Sequence, residues 1–269
     1  MKHSVWLLTL MLVLSTACGG SGGSSNTRRK TKITEAQIQH VMGNQIFDCA
    51  SVDGGACPSG IARLLIINKE DADDSSVCSG FMVDEETMIT NQHCISSQTD
   101  CNNTYVAIYN GHSYEQNKCK SVVKIMNDYS NPNDSRKKLD VAVVKLEGKY
   151  FGKAFKAASD KPLLNDEVTA WVIDHTGLDR KEPNLYEARV TELRCLVAAD
   201  NRQSLILNNC PVIDGNSGSP LLDSRGDVAG VIWGGSASEV NSSLDLEKRR
   251  DLSKQAAATE VIYFSGYMN

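Results

Sequence analysis

The sequence predicts an all-β protein, a sandwich or a barrel, and three observations carry that prediction. Short runs rich in β-branched and aromatic residues recur along the chain, at 62–67, 80–83, 87–90, 105–109, 122–126, 141–146, 168–173, 186–197, 205–207 and 228–233. Polar turns separate these runs, and no helical pattern alternates with them, which argues against a parallel sheet with crossover helices. The chain has 269 residues, 41% of them hydrophobic, which is enough for one large domain or two small ones with cores of their own.

Charge and aromatic content narrow the function classes. The net charge is −5 with the basic residues scattered, and aromatics are only 6%. Neither an electrostatic footprint for nucleic acid nor a stacking platform for single strands is present, so nucleic-acid partners are not expected.

The first residues, MKHSVWLLTLMLVLSTAC, carry a basic Lys2, an apolar run over 5–14 and small residues up to Cys18. The run is too short to span a bilayer and reads as a secretory signal peptide over 1–17. Leu14-Ser15-Thr16-Ala17-Cys18 resembles the bacterial lipobox, with its leucine one position farther from the cysteine than usual; ordinary signal cleavage is the alternative. The nine cysteines favour lipidation, because acylating Cys18 leaves eight to pair in an oxidising compartment. The chain is therefore expected to be exported, as an outer-membrane lipoprotein facing periplasm or cell surface, or secreted if Cys18 is not acylated.

Residues 18–45 read as a lipid-anchored flexible tether followed by a short helix. GGSGGSSNTRRKTK has nothing to anchor in a core, whereas Thr34 with Gln37 makes a capping box ahead of Ile38 and Val41. A composition break at 151–162 divides the rest into 46–152 and 153–238. Residues 244–258, rich in Leu, Glu, Lys, Arg and Ala, predict a helix within a C-terminal tail over 239–269.

Three short stretches carry the chemistry. In PVIDGNSGSPLLD, residues 211–223, closely spaced glycines and a proline around Ser217 specify a tight, unusual backbone, a surface turn or a nucleophile loop. In MITNQHC an apolar strand runs into a turn at His93. In LDVAVVKL, Asp140 stands at the mouth of a strongly apolar strand, where a carboxylate needs a partner. Taken singly, each could be a surface turn residue.

Together, in the order histidine, aspartate, serine, they resemble the chymotrypsin-like (trypsin-fold) serine proteases. MITNQHC is similar to that family's histidine motif, LDVAVVKL to its Asp-Ile-Ala-Leu motif, and GNSGSP to Gly-Asp-Ser-Gly-Gly-Pro. The separations, 140 − 93 = 47 and 217 − 140 = 77, fit two barrels around one cleft. GVIWGG resembles the Ser-Trp-Gly segment that pairs with substrate backbone. The resemblance spans roughly 46–258 and implies two six-stranded antiparallel β-barrels, here with the C-terminal helix added. It also implies an extracytoplasmic serine endopeptidase acting through an acyl-enzyme, without cofactor or metal. His93 would be the base, Asp140 its orienting partner, Ser217 the nucleophile, and the N–H groups of Gly215 and Ser217 the oxyanion hole. A catalytically silent lipoprotein that keeps the fold as a binding or adhesion module is the alternative. Partners are a protein or peptide substrate and the membrane, and the protein is expected to be a monomer.

The chain also departs from the family. Asn216 replaces the aspartate that pairs with a new N-terminal ammonium in members activated by cleavage, and GNSGSP is similar to the loops of the bacterial branch. The mature chain is accordingly expected to be active uncut, its oxyanion loop ordered by neutral hydrogen bonds between Asn216 and a fixed leading segment. Asn91 and Gln92 replace two alanines and need polar partners behind the histidine. The family's bridge corresponds to Cys78–Cys94. Cys195 and Cys210 end two strands of an expected hairpin, and proximity pairs Cys49 with Cys57 and Cys101 with Cys119, although eight cysteines allow on the order of a hundred pairings. Pro211, Val212, Ile232, Trp233 and Gly234 are the expected substrate-binding residues. Pro211 stands where trypsin has aspartate, and Ile232 where glutamate-specific relatives have histidine. With Gly234 and Gly235 leaving the wall open, a small or medium apolar side chain is favoured, and His175 falls on a surface loop.

Overall fold

The computed structural model describes residues 32–43, 46–71, 75–128, 139–175, 178–179, 182–183, 187–200, 204–235 and 255–268. The expected signal peptide, the lipobox-like stretch with Cys18 and the expected tether up to residue 31 lie outside these residues.

A short helix, α1 (Glu35–Gly43), leads, capped as its sequence requires. Gln37 N–H donates to Thr34 Oγ1 at 3.3 Å and Thr34 N–H to Gln37 Oε1 at 2.8 Å, so two orphan donors are satisfied reciprocally. Ile38 is buried among Leu65, Ile67, Tyr105 and Ala107, which docks the helix on the barrel that follows.

After β1 (Ile46–Ala50) the first barrel is built from β2 (Ile61–Ile66), β3 (Ser76–Met82), β4 (Thr87–Thr90), β5 (Thr104–Tyr109), β6 (Tyr114–Asp128) and β7 (Leu139–Leu146), with a short helix, α2 (Gln98–Asn102), before β5. These six strands close in the order β2-β3-β4-β7-β6-β5, all antiparallel. Two register shifts bend the long β6 against β7, the usual device by which a strand turns a barrel corner.

The second barrel takes β8 (Glu167–His175), then, past the small β9 (Leu178–Asp179) and β10 (Glu182–Pro183) pair, β11 (Glu187–Asp200), β12 (Ser204–Asn208), β13 (Pro220–Leu222), β14 (Val228–Gly235) and β15 (Gln255–Glu260). Pairing runs β11-β12-β15-β14-β13-β8, and β8 also pairs with β11, so this ring closes too.

The strands that meet between the barrels are apolar on both faces. Along β7, Ala142 and Val144 fill the first barrel, while Val141 and Val143 join a cluster shared with Trp171, Ile173, Leu222, Val231 and Phe264 of the second. On β8, Val168, Ala170 and Val172 fill the second barrel while Trp171 and Ile173 face that shared cluster. Burial on both sides is why these strands read as unbroken hydrophobic runs instead of alternating ones.

Two expectations need correction. The predicted C-terminal helix is not formed where it is described: residues 255–258 belong to β15, the sixth strand of the second barrel, and 244–254 lie outside the described residues. Alanine-rich QAAATE has a helical propensity, but β12 on one side and β14 on the other satisfy its backbone, and tertiary pairing overrides propensity. The second barrel thus extends past residue 238. At the other end, β1 does not join the first barrel; it runs parallel to β11, with Cys49 opposite Val190.

Four disulfides are formed among the described residues: Cys49–Cys57, Cys78–Cys94, Cys101–Cys119 and Cys195–Cys210. Such density of bridges is typical of proteins that fold in an oxidising compartment. No helix among the described residues is long and apolar enough to cross a membrane.

Candidate active site

His93 stands in the turn that leaves β4, and Asp140 is the second residue of β7, the strand paired with β4. This pairing sets the two side by side. His93 Nδ1 lies 2.6 Å from Asp140 Oδ2, and His93 N–H donates to Asp140 Oδ1 at 3.0 Å. The carboxylate is fully buried while the imidazole is about a third exposed, at 36%. With Nδ1 held by Asp140, Nε2 is the ring nitrogen left for other chemistry.

The turn has its own supports. The N–H groups of Cys94 and Ile95 both donate to the Asn91 carbonyl, and Asn91 Nδ2 donates to the Asp140 carbonyl at 2.7 Å. Asn91, expected to need a polar partner, therefore ties the histidine turn to the aspartate strand. Asp140 N–H donates across the barrel boundary to Thr259 Oγ1 at 3.3 Å. Sequence reasoning missed Thr259, because nothing distinguishes a buried threonine at the end of an alanine run from a surface one.

Ser217 sits in the loop before β13. Gly215 and Gly218 on either side have φ of +91° and +93°, the left-handed region that L side chains avoid. A Cβ on Gly218 would lie 1.9 Å from the Ser79 carbonyl oxygen and 2.6 Å from Thr90 Oγ1. Only glycine lets the loop press so closely on β3 and β4, the strands that lead to His93. Ser79 N–H donates to the Ser217 carbonyl at 2.7 Å, Ser79 Oγ–H to the Gly215 carbonyl at 2.8 Å, and Thr90 Oγ1–H to the Ser79 carbonyl at 2.7 Å. The serine loop of the second barrel is thus docked on the histidine-bearing hairpin of the first, and Cys78–Cys94 clamps that hairpin.

Asn216 is buried between these contacts. Its Oδ1 accepts the Ile213 N–H and its Nδ2 donates to the Ile173 carbonyl, both at 2.9 Å. These partners come from the loop itself and from β8.

The substrate-binding candidates fall into two groups. Val212 and Ile232 are buried in the core cluster of the second barrel, and Pro211 is buried beside them in sequence. Trp233 and Gly234 continue β14 outward, and a side chain on Gly234 would meet open space. Ile232 exchanges hydrogen bonds with the serine loop, receiving Gly218 N–H at 2.8 Å and donating to the Ser219 carbonyl at 2.9 Å. Opposite Gly234 and Gly235 stand Ala257 and Ala256 of β15. His175 ends β8 opposite Ala188, on a strand and not a loop. A separate concavity, lined by Glu167, Trp171, Glu192, Arg194 and Asp223 among others, includes none of these residues. Cys78, His93 and Cys94 bring ligand-type atoms within 4.8 Å, but the two sulfurs are joined to each other and offer no thiolate to a metal.

Residues 78–231, more than half of the chain, match the trypsin-like peptidase domain. The chain belongs to this family. Among relatives of the peptidase family, it is 27% identical over 236 residues to serine protease HTR4 of Rattus norvegicus, a match covering 80% of this chain and 39% of that protein. The chain thus spans about two-fifths of that relative's length. The serine endoprotease from Yersinia pestis shares its fold, with a TM-score of 0.52 at 18% identity over 79% of this chain and 62% of that one. So does an inactivated protease paralogue of the scabies mite, with a TM-score of 0.51 at 12% identity over 77% of this chain and 91% of that one. The peptidase fold alone therefore does not decide activity; the residues at the site must.

Proposed function

We propose that this chain is an extracytoplasmic serine endopeptidase that cleaves protein or peptide substrates through an acyl-enzyme. The observation that carries the reading is the buried Asp140 carboxylate receiving both the ring Nδ1 and the backbone N–H of His93. A binding module has no need of a histidine held by a buried carboxylate on the hairpin where the serine loop docks.

In this reading His93 Nε2 takes the Ser217 Oγ proton as Oγ attacks the scissile carbonyl. Asp140 holds the imidazole and stabilises the imidazolium. The oxyanion meets the N–H groups of Gly215 and Ser217, neither of which donates to an acceptor among the described residues. The intermediate collapses as His93 returns the proton to the leaving amine; a water deprotonated by His93 then attacks the acyl carbonyl, and the acid leaves as His93 passes that proton to Ser217 Oγ. No metal or cofactor enters these steps.

The neutral bonds of Asn216 to Ile213 and Ile173 support a loop ordered without cleavage, so the mature chain is active as made. The open space at Gly234 and the small Ala256 and Ala257 opposite support a pocket for a small or medium apolar side chain. Residues 1–17 are the signal peptide, and Cys18 carries a lipid that anchors the protein to the outer membrane, in keeping with the GNSGSP loop of the bacterial branch.

A fluorophosphonate probe tests the enzyme. Labelling of the wild-type protein that is absent in Ser217→Ala supports it, and folded wild-type protein that labels at no pH rejects it. Mass spectrometry of the mature chain tests the anchor, which a free, unmodified Cys18 would exclude.

A further inference from the structure

Ser79 belongs to the first barrel, yet it is fully buried and both of its donors reach into the serine loop of the second. Its backbone N–H holds the Ser217 carbonyl, a bond that any residue could make. The bond from its hydroxyl to the Gly215 carbonyl belongs to the side chain alone. We propose that Ser79 is a positioning residue for the oxyanion loop, holding Gly215 and Ser217 in the arrangement where their two N–H groups converge. The proposal rests on the peptidase reading above and adds a residue and a role to it.

The physical reason lies in the torsions between those two donors. The angle between Gly215 N–H and Ser217 N–H is set by φ and ψ of residues 215 and 216. Asn216 is restrained at both ends, through its N–H to the Ile213 carbonyl at 3.0 Å and through its side chain to Ile213 and Ile173. Gly215 has no Cβ to restrict it, and glycine enters the region of its φ of +91° about as readily as that of negative φ. The Gly215 carbonyl reports ψ directly, because rotation about ψ swings that oxygen. A hydroxyl donating to it at 2.8 Å therefore holds, from the carbonyl side, the same peptide plane that the Asn216 N–H bond to Ile213 holds from the other, and so restrains ψ at a residue with no side chain to restrict it. Ser79 is itself held, since its carbonyl accepts from Thr90 Oγ1 and β3 pairs with β2 on one side and β4 on the other.

An oxyanion donor out of position acts on the transition state more than on the bound ligand. The experiment measures inactivation of the full mature chain by a fluorophosphonate, whose phosphonyl oxygen occupies the oxyanion site, and separates the maximal rate of inactivation from the apparent binding constant. Ser79→Ala removes the hydroxyl and keeps the backbone bonds. The maximal rate should fall about tenfold with the binding constant changed less than about twofold, and Ser79→Thr should restore most of the rate. The thermal midpoint of Ser79→Ala should stay close to that of the wild type. A rate within twofold of wild type, or a loss that merely follows a lowered fraction of folded protein, would overturn the role of Ser79 and leave the peptidase reading intact. Wild-type protein that does not react at all would instead overturn the peptidase reading and this proposal with it. If Ser79→Thr does not fold, the split between rate and binding in Ser79→Ala decides alone.

Discussion

Asp140 takes two hydrogen bonds from one residue, His93: the ring at 2.6 Å and the backbone N–H at 3.0 Å. The double contact fixes the turn as well as the imidazole, and it does so at a carboxylate that no water reaches, since Asp140 is fully buried. Asp140→Asn keeps the shape and offers Nδ1 an amide. If that amide presents N–H, the imidazole must carry its proton on Nε2 and cannot act as a base toward Ser217. Fluorophosphonate labelling should slow by on the order of 10³–10⁴-fold with the fold intact. Labelling within tenfold of wild type would mean that the pair does not activate Ser217.

Asn216→Asp tests how the serine loop is ordered. The amide donates to the Ile173 carbonyl at 2.9 Å, and a carboxylate in its place would set oxygen against oxygen in a buried position. Burying an unpaired polar group costs about 1–3 kcal/mol, and more when it is charged. The uncut variant should lose stability in urea and label at least about tenfold more slowly. If it labels as fast as wild type, the loop is ordered by something other than the Asn216 amide.

Gly218→Ala and Gly226→Ala separate steric contact from backbone strain. Both glycines have positive φ, +93° and +82°, but a Cβ on Gly218 meets the Ser79 carbonyl at 1.9 Å, whereas nothing lies within 4 Å of one on Gly226. Gly226→Ala should cost only the strain, about 1–2 kcal/mol. Gly218→Ala adds a backbone clash and should cost about 3 kcal/mol or more, with loss of labelling. Denaturant titration of the two variants gives the comparison, and equal losses would show that the loop can retreat from β3.

The docking of α1 should be sensitive to acid. Hydrogen bonds from Lys69, Tyr105 and Gln39 lower the Glu35 carboxyl from its ordinary 4.5 to about 2. A carboxylate whose pKa is depressed in the folded state stabilises that state above its unfolded pKa, and the contribution is lost as pH falls through the folded value. Protection of the α1 amides against hydrogen exchange, including Ile38 N–H on the Thr34 carbonyl, should therefore decline between about pH 4.5 and 2. The effect is modest, because Glu35 and Lys69 are both half exposed. Glu35→Gln should remove this pH dependence; a variant with the wild-type profile would assign it to another group.

What the sequence determined by itself is what nearby residues decide. The Thr34–Gln37 cap, the two glycines around Ser217 and the bridges between cysteines no more than 18 residues apart were all legible, because caps, left-handed turns and short loops are set by the residues that form them. His93, Asp140 and Ser217, the proposed triad, stood out through their motifs, and the strongly apolar strand expected after Asp140 is β7, which is covered on both faces. The tertiary structure decided everything that depends on partners far along the chain. Gln255–Glu260 is a strand because β12 and β14 flank it, against the helical tendency of its alanines. β1 lies on β11, Thr259 supports Asp140, and Ser79 reaches Gly215 across 136 positions of sequence. Local patterning says which face of a strand is apolar, but the residue it meets is chosen by barrel closure and by the packing of one barrel on the other.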